Sequence, residues 1–256
     1  MAADELQPHP ADEHTEATPP DAGSDEAAPE GPQSATLQEA LDRYGIALPA
    51  DQVAKLDEYC RLLWDWNTKI NLTRHTDYDR FVTRDVVDSL TLANLLEQGE
   101  HVLDLGTGGA VPGIILAIVR PDLHVTLSDS IAKKALAVQD MVSSLKLPVR
   151  VENARGEALL TPPAGGRRKG TPKKRFDTIV VRAVARLEKL LIWLAPHWDQ
   201  FGRLLAIKGP AWVEERYVAR QRRLLTGLNL RRAAVYLTPG TKAENVVLQI
   251  WPKEPQ

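Results

Sequence analysis

Residues 102–118 read VLDLGTGGAVPGIILAI, and this stretch decides the fold. A short apolar run surrounding Asp104 gives way to Gly106, Gly108 and Gly109; after Pro112 and Gly113 the residues turn apolar again. The pattern is a strand, a tight glycine turn and the start of a helix. Glycine lets backbone N–H groups come close to a ligand. An acid at the end of the strand argues against a phosphate-binding loop, because Asp104 would repel a pyrophosphate. It suits a ligand that presents a positive charge.

Working outward, strands and helices alternate downstream of this motif. Strands are expected over 101–105, 123–128, 149–152, 176–181, 203–208, 231–237 and 245–251, with helices over 113–120, 131–146, 187–194 and 212–226. Alternation of this kind predicts an α/β fold with a mostly parallel, seven-stranded sheet and helices on both faces. The connection between the last two strands is too short for a parallel crossover, so that pair is antiparallel. Upstream, residues 36–44 predict a short helix closed by Gly45. A second helix begins after Asp51 as N-cap, and a third covers about 79–96. The chain thus divides into residues 1–35, a helical extension over 36–98, and an α/β domain over 99–256.

Composition narrows the function classes. No apolar run reaches the roughly 18 residues needed to span a bilayer, and no basic segment followed by an apolar core opens the chain as a secretory signal would. A single cysteine, Cys60, excludes an internal disulfide and fits a reducing, cytoplasmic setting. The six histidines show no metal-ligand spacing, so no metal is expected. The net charge of −2 hides a division. Residues 1–35 hold nine acidic side chains and no Lys or Arg, a composition that reads as disordered. Without them the chain carries 32 basic against 25 acidic side chains, a net +7, which suits a polyanionic partner. Residues 161–175, TPPAGGRRKGTPKKR, form a Pro- and Gly-rich loop with six basic residues and no acid.

In an open parallel sheet, ligands bind beyond the carboxyl ends of the strands. Asp104 and the glycine loop lie at the first such end and Asp129 at the second, about 20 residues on, where a carboxylate can accept hydrogen bonds from both hydroxyls of a ribose. The dinucleotide fingerprint does not fit in register: counting from Gly106 and Gly108, its last glycine position falls on Val111. A nucleoside with a positively charged tail, such as S-adenosyl-L-methionine, suits both acids.

The ordered motifs carry a closer resemblance. The segment 104–117 resembles the first motif of class I S-adenosylmethionine-dependent methyltransferases, whose fold is Rossmann-like. Trp66-Asn67 with Asn71-Leu72-Thr73, Arg84 with Asp88-Ser89, Asp129-Ser130, Arg155 with Glu157, Arg182-Ala183 and Ile207-Lys208-Gly209 follow in order. Together they resemble the bacterial small-subunit ribosomal RNA guanine-N7 methyltransferases, the RsmG or GidB type, over about residues 50–251. The resemblance implies methyl transfer from S-adenosyl-L-methionine to N7 of a guanine in 16S ribosomal RNA, with the small subunit or an assembly intermediate as partner. Asp104, Gly106, Thr107, Gly108, Gly109, Pro112 and Gly113 would then hold the methionine part of the donor, and Asp129 its ribose. Ala154, Arg155, Gly156 and Glu157 would border the adenine. Arg182 and Lys208 would act near the target base, Arg182 also touching the donor, with Asn71, Arg84 and Lys208 binding RNA. Two positions depart from the family: Asp85 stands where the family often has His, and Ala110 where Gly is frequent. Ala is tolerated there unless its φ is positive, where it costs more.

The chemistry agrees with what is lacking. Guanine N7 has a lone pair and no proton, so no general base is needed. Cys60, inside a helix before the sheet, is placed for packing, not for the nucleophilic role that pyrimidine C5 methylation requires. Val181-Arg182-Ala183-Val184 stands where amine methyltransferases carry an Asn/Asp-Pro-Pro-aromatic loop. A methyltransferase of a small molecule or protein, and a non-catalytic RNA-binding assembly factor that keeps the donor fold, are the competing classes.

Overall fold

The computed structural model describes residues 33–161 and 175–254. Most of the acidic segment and of the basic loop 161–175 lies outside them. The chain forms helices α1 (Leu37–Arg43), α2 (Ala50–Asn67) and α3 (Tyr78–Arg80), a π-helical turn (Phe81–Val86), and α4 (Val87–Ala93). The alternating part follows as β1 (His101–Leu105), α5 (Gly113–Val119), β2 (His124–Ser128), α6 (Ala132–Ser144), β3 (Arg150–Glu152), α7 (Gly156–Leu160), β4 (Phe176–Arg182), α8 (Leu187–Leu194), β5 (Phe201–Lys208), α9 (Trp212–Gln221), β6 (Leu228–Leu237) and β7 (Glu244–Pro252).

The seven strands form one sheet in the order β3-β2-β1-β4-β5-β7-β6. The first five are parallel, and β7 runs antiparallel to both β5 and β6. Successive strand residues enter different layers. Val102, Val180, Leu205 and Ile207 join one apolar cluster; Leu103, Ile179, Val181, Leu204 and Ala206 join the other. Burial on both faces explains why these strands read as continuous apolar runs. The first cluster also contains Leu41 of α1, Leu56, Tyr59 and Leu63 of α2, Ile114 and Ile115 of α5 and Met141 of α6, so the front helices and the sheet share one core. The second is closed by α7, α8 and α9 through Leu160, Leu190 and Ala219.

Several local expectations change. Pro49, not Asp51, precedes the first residue of α2, and Asp51 sits inside its first turn; proline is at home at such a helix start, where no N–H is needed. The single helix expected over 79–96 is three pieces, beginning at an Asp77 cap whose side chain accepts from Arg80 N–H. Helix α9 ends at Gln221, five residues early, because Arg223 and Gly227 take positive φ. Helix α1 is capped as its sequence demands: Thr36 Oγ1 accepts from Glu39 N–H while Glu39 reaches back to Ala35 N–H.

Candidate functional site

The order of strands reverses between β1 and β4, and the loops after these two strands meet there: a Cβ on Gly106 would lie 3.0 Å from Val184 Cγ2. This is the crevice where an open α/β sheet binds its ligand. The glycine loop reaches it by three consecutive left-handed bends, at Gly106 (φ 70°), Gly108 (φ 57°) and Ala110 (φ 71°). The alanine therefore sits in the costly conformation, a strain of about 1–2 kcal/mol that its fully buried methyl offsets by packing.

Asp104 shapes this loop from beneath. Its side chain is 1% exposed, and Oδ2 accepts from Thr107 Oγ1 at 2.6 Å and from Gly113 N–H at 2.9 Å. Burial pushes its pKa up to about 6, against the lowering effect of those two hydrogen bonds. Gly113 is required by close approach: a Cβ there would lie 2.0 Å from Leu127 Cδ2 and 2.7 Å from Asp104 Oδ2. Gly113→Ala should lower the unfolding free energy in urea by about 1–3 kcal/mol, the usual cost of overpacking a tight site.

Asp129 ties the second strand to the same loop. Its Oδ2 accepts from Gly108 N–H at 3.0 Å and its Oδ1 from Ile131 N–H at 2.8 Å. Asn153, which the sequence reading did not single out, fixes the backbone behind it, Nδ2 donating to Asp129 O at 3.0 Å. Gly106 is exposed and Gly108 half-buried, and a Cβ on Gly108 would meet nothing within 4 Å, so the loop backbone faces open space beside the Asp129 carboxylate. Each carboxylate oxygen retains a lone pair for a further donor. Such a site fits a nucleoside with a cationic tail. Arg155 is exposed, with Ala154 and Glu157 half-buried, at the neighbouring strand end. Gly156 is buried instead, its missing Cβ filled by Leu105 Cδ1. Gly109 and Pro112 are buried too, Gly109 under the front helices: its carbonyl accepts from Tyr59 Oη at 2.6 Å, and Leu63 and Leu72 O close over it.

The two basic residues at strand ends are engaged within the protein. Arg182 pairs with Asp85 at 2.7 Å and Asp88 at 3.2 Å, both on the front helices. Asp85 also meets His75 Nδ1 at 2.9 Å, and Asp88 accepts from Tyr236 Oη at 2.5 Å. Burial disfavours the guanidinium charge, yet the two carboxylates outweigh it and raise the Arg182 pKa. Burial raises Asp88, whereas at Asp85 the same penalty is overcome by Arg182 and His75, and its pKa is lowered. Lys208 donates to Ala185 O at 2.6 Å and pairs with Glu215 at 2.8 Å; Glu215 also accepts from Leu187 N–H. Arg182 and Lys208 thus both fix the ends of the 183–186 loop that borders the crevice. Arg84 extends toward Thr238 Oγ1 at 3.4 Å, and Asn71 is exposed on the loop above Gly109. Asn67, not Asn71, organises that loop, accepting from Leu72 and Thr73 N–H. Trp64 and Trp66 belong to the packing: Trp64 donates to His75 O and Trp66 to Asp140. Burial raises the Cys60 thiol pKa, as expected of a packing residue. Among the described residues, no cluster of His, Cys, Asp and Glu could hold a metal, and no helix is long and apolar enough to cross a membrane.

The family model and the relatives that match this chain name one family. The model of the rRNA small subunit methyltransferase G family (GidB) matches residues 52–237. A ribosomal RNA small subunit methyltransferase G of Rhodopirellula baltica is 48% identical over 202 residues, 79% of this chain and 83% of that one. Its counterpart in Desulfitobacterium hafniense is 34% identical, covering 79% and 82%, and that of Pseudomonas aeruginosa 37%, covering 68% and 76%. A sheet of this order, with a glycine loop after its first strand and an acid after its second, has the architecture of class I S-adenosylmethionine-dependent methyltransferases. Within that class, the chain belongs to the rRNA small subunit methyltransferase G family.

Proposed function

We propose that the crevice between the β1 and β4 loops binds S-adenosyl-L-methionine and delivers its methyl group to N7 of a guanine in small-subunit ribosomal RNA. The family makes the chain an rRNA methyltransferase. The observation that carries the assignment of the site is the Gly108 N–H to Asp129 carboxylate bond, which joins loop and acid into one cradle. Asp129 takes the ribose hydroxyls and Asp104 the charge of the methionine end. Backbone at Gly106, Thr107 and Gly108 follows the donor, and Ala154, Arg155 and Glu157 border its base. Gly109, Pro112, Gly113 and Gly156 shape the cradle from behind.

S-adenosyl-L-methionine supplies an electrophilic methyl carbon on a sulfonium. The protein's part is to align it with a nitrogen that needs no deprotonation, which is catalysis by proximity and orientation. Arg182 and Lys208 act as positioning residues that hold the β4 loop, and Asn71 and Arg84 meet the RNA. N7 lies in the major groove, which is deep and narrow in A-form RNA, so the base is taken from a loop or irregular helix of the subunit or of an assembly intermediate. The reaction is cytoplasmic, where that substrate is found. Incubation with labelled donor and separated ribosomal subunits should label small-subunit RNA alone; label in protein or in small molecules would favour the other methyltransferase class.

A pH dependence follows from Asp104. Its carboxyl ionises at about 6 in the fold, and a cationic ligand prefers the ionised form. Donor affinity should rise with pH up to about 6 and then level, falling about tenfold per unit below that. Stability runs the other way. A raised carboxyl pKa stabilises the fold at low pH, and that contribution is lost as pH climbs through 6. Asp104→Asn should therefore bind the donor at least about tenfold more weakly at pH 8 without a lower melting temperature, and should lose the pH dependence. Calorimetry across pH 5–8 checks both.

A further inference from the structure

We infer that α9 and β6 carry a second RNA-docking surface, built to grip phosphates along an RNA helix. The inference takes ribosomal RNA as the partner from the function proposed above, but its evidence is separate from the donor site.

Residues 216–235 contain six arginines, Arg216, Arg220, Arg222, Arg223, Arg231 and Arg232, and no acidic residue. Among the described residues none of the six has a carboxylate partner, although Arg43, Arg61, Arg80, Arg120, Arg150, Arg182, Arg186 and Arg203 all do. Arg220, Arg222, Arg223, Arg231 and Arg232 are exposed. The fold draws two of these charges together on the α9 face of the sheet. Arg216 of α9 and Arg232 of β6 both lie over the Trp212 ring, at 4.8 and 5.7 Å from its centroid. Arg231, on the opposite face of β6, lies over Trp251 at 5.7 Å with Nε and Nη2 both held by Gln249 Oε1, at 3.0 and 2.8 Å, and stands apart from this group. Arg220 and Arg223 line an adjoining groove with Leu225 and Leu228.

Concentrating unpaired guanidiniums raises repulsion that a polyanion would relieve. The partner's class follows from how the rings are used. Proteins that take single-stranded bases offer free aromatic faces for stacking; here Trp212 is covered by two guanidiniums. Stacking on an indole steadies a guanidinium and leaves its N–H edge free for the bidentate phosphate contact at which Arg excels over Lys. This surface therefore reads backbone, not bases, and favours a regular RNA helix.

The test compares the full chain with its R220Q/R222Q/R223Q/R232Q variant, none of whose changed residues belongs to the donor cradle. Binding to a fragment of small-subunit rRNA is measured from 50 to 200 mM salt, with a poly(A)·poly(U) duplex as competitor and anionic phospholipid vesicles as a separate ligand. Losing four phosphate contacts should cut the slope of log K against log salt by about 4 and weaken binding at least about tenfold at 150 mM. KM for the RNA should rise while kcat at saturation and donor affinity stay unchanged, and the duplex should compete with the parent only. An unchanged slope and affinity would overturn the inference, leaving a merely solvated face, as would a variant that loses vesicle binding and keeps RNA binding. A changed slope with no methyl transfer by the parent to any rRNA would sink the proposed function and not this surface.

Discussion

Arg182→Ala is expected to lower the unfolding free energy by about 3–5 kcal/mol, the cost of stranding buried charge by removing one partner of a buried ion pair. Arg182 reaches Asp88 at 3.2 Å and Asp85 at 2.7 Å, and Asp85 also meets His75. The Asp85 side chain is fully buried, and its Oδ2 already lacks a partner. Without the guanidinium the two carboxylates face one another in a site with little water. Both pKa values would then sit above the ordinary carboxylate range, so the loss is greatest at neutral pH and shrinks as pH falls toward 5 and the carboxyls take up protons. Arg182→Lys keeps the charge but cannot fork between two acids, and should recover only part of the loss. Urea unfolding of the three proteins at pH 7.5 and pH 5 checks both the size and the pH trend. A loss under about 1 kcal/mol, typical of an exposed pair, would show that this joint between β4 and the front helices is not a buried one.

Asp129→Ala carries the second large effect, on the donor and not on the fold. Hydrogen bonds from neutral hydroxyls to a charged acceptor are worth about 1.5–3 kcal/mol each. Two from a ribose make a loss of roughly 150- to 25,000-fold in affinity for S-adenosyl-L-methionine. The variant also frees Gly108 N–H and Ile131 N–H, both held by this carboxylate. Those amides lie at the half-exposed rim and can turn to water, so stability should fall far less than affinity. Asp129→Asn retains acceptor and shape and should fall between the two. Calorimetric titration separates these outcomes; equal affinity in all three proteins would remove Asp129 from the ribose.

The sheet was legible because its information is local. Apolar runs of strand length, bounded by glycine and proline, recur along the chain, and the short link before β7 forces the antiparallel end. Asp104, the glycine loop and Asp129 were legible for the same reason: each sits at the end of a strand that its own neighbours define. What escaped depends on contacts between distant residues. Arg182 and Lys208 read as cations acting near the target base, but the acids that engage Arg182 lie 94 or more residues away, on a π-helical turn and the helix after it. No sequence period announces an extra residue in a helical turn. Helix α7, at five residues, is too short for periodicity to show. The positive φ at Ala110 could be named only as a condition, since the residue type permits either sign and the turn decides.

Locating the transferred methyl group decides whether guanine N7 is the acceptor. After reaction of the full-length protein with small ribosomal subunits and S-adenosyl-L-methionine, N7-methylguanine carries a cationic ring that borohydride reduces, and aniline then cleaves the chain at that nucleotide. One new cleavage at a guanine of small-subunit RNA is expected with the parent protein, and none with Asp129→Ala at donor concentrations that saturate the parent alone. A methyl group found on carbon or on an exocyclic amine, or undiminished cleavage by the Asp129 variant, would contradict the proposed function.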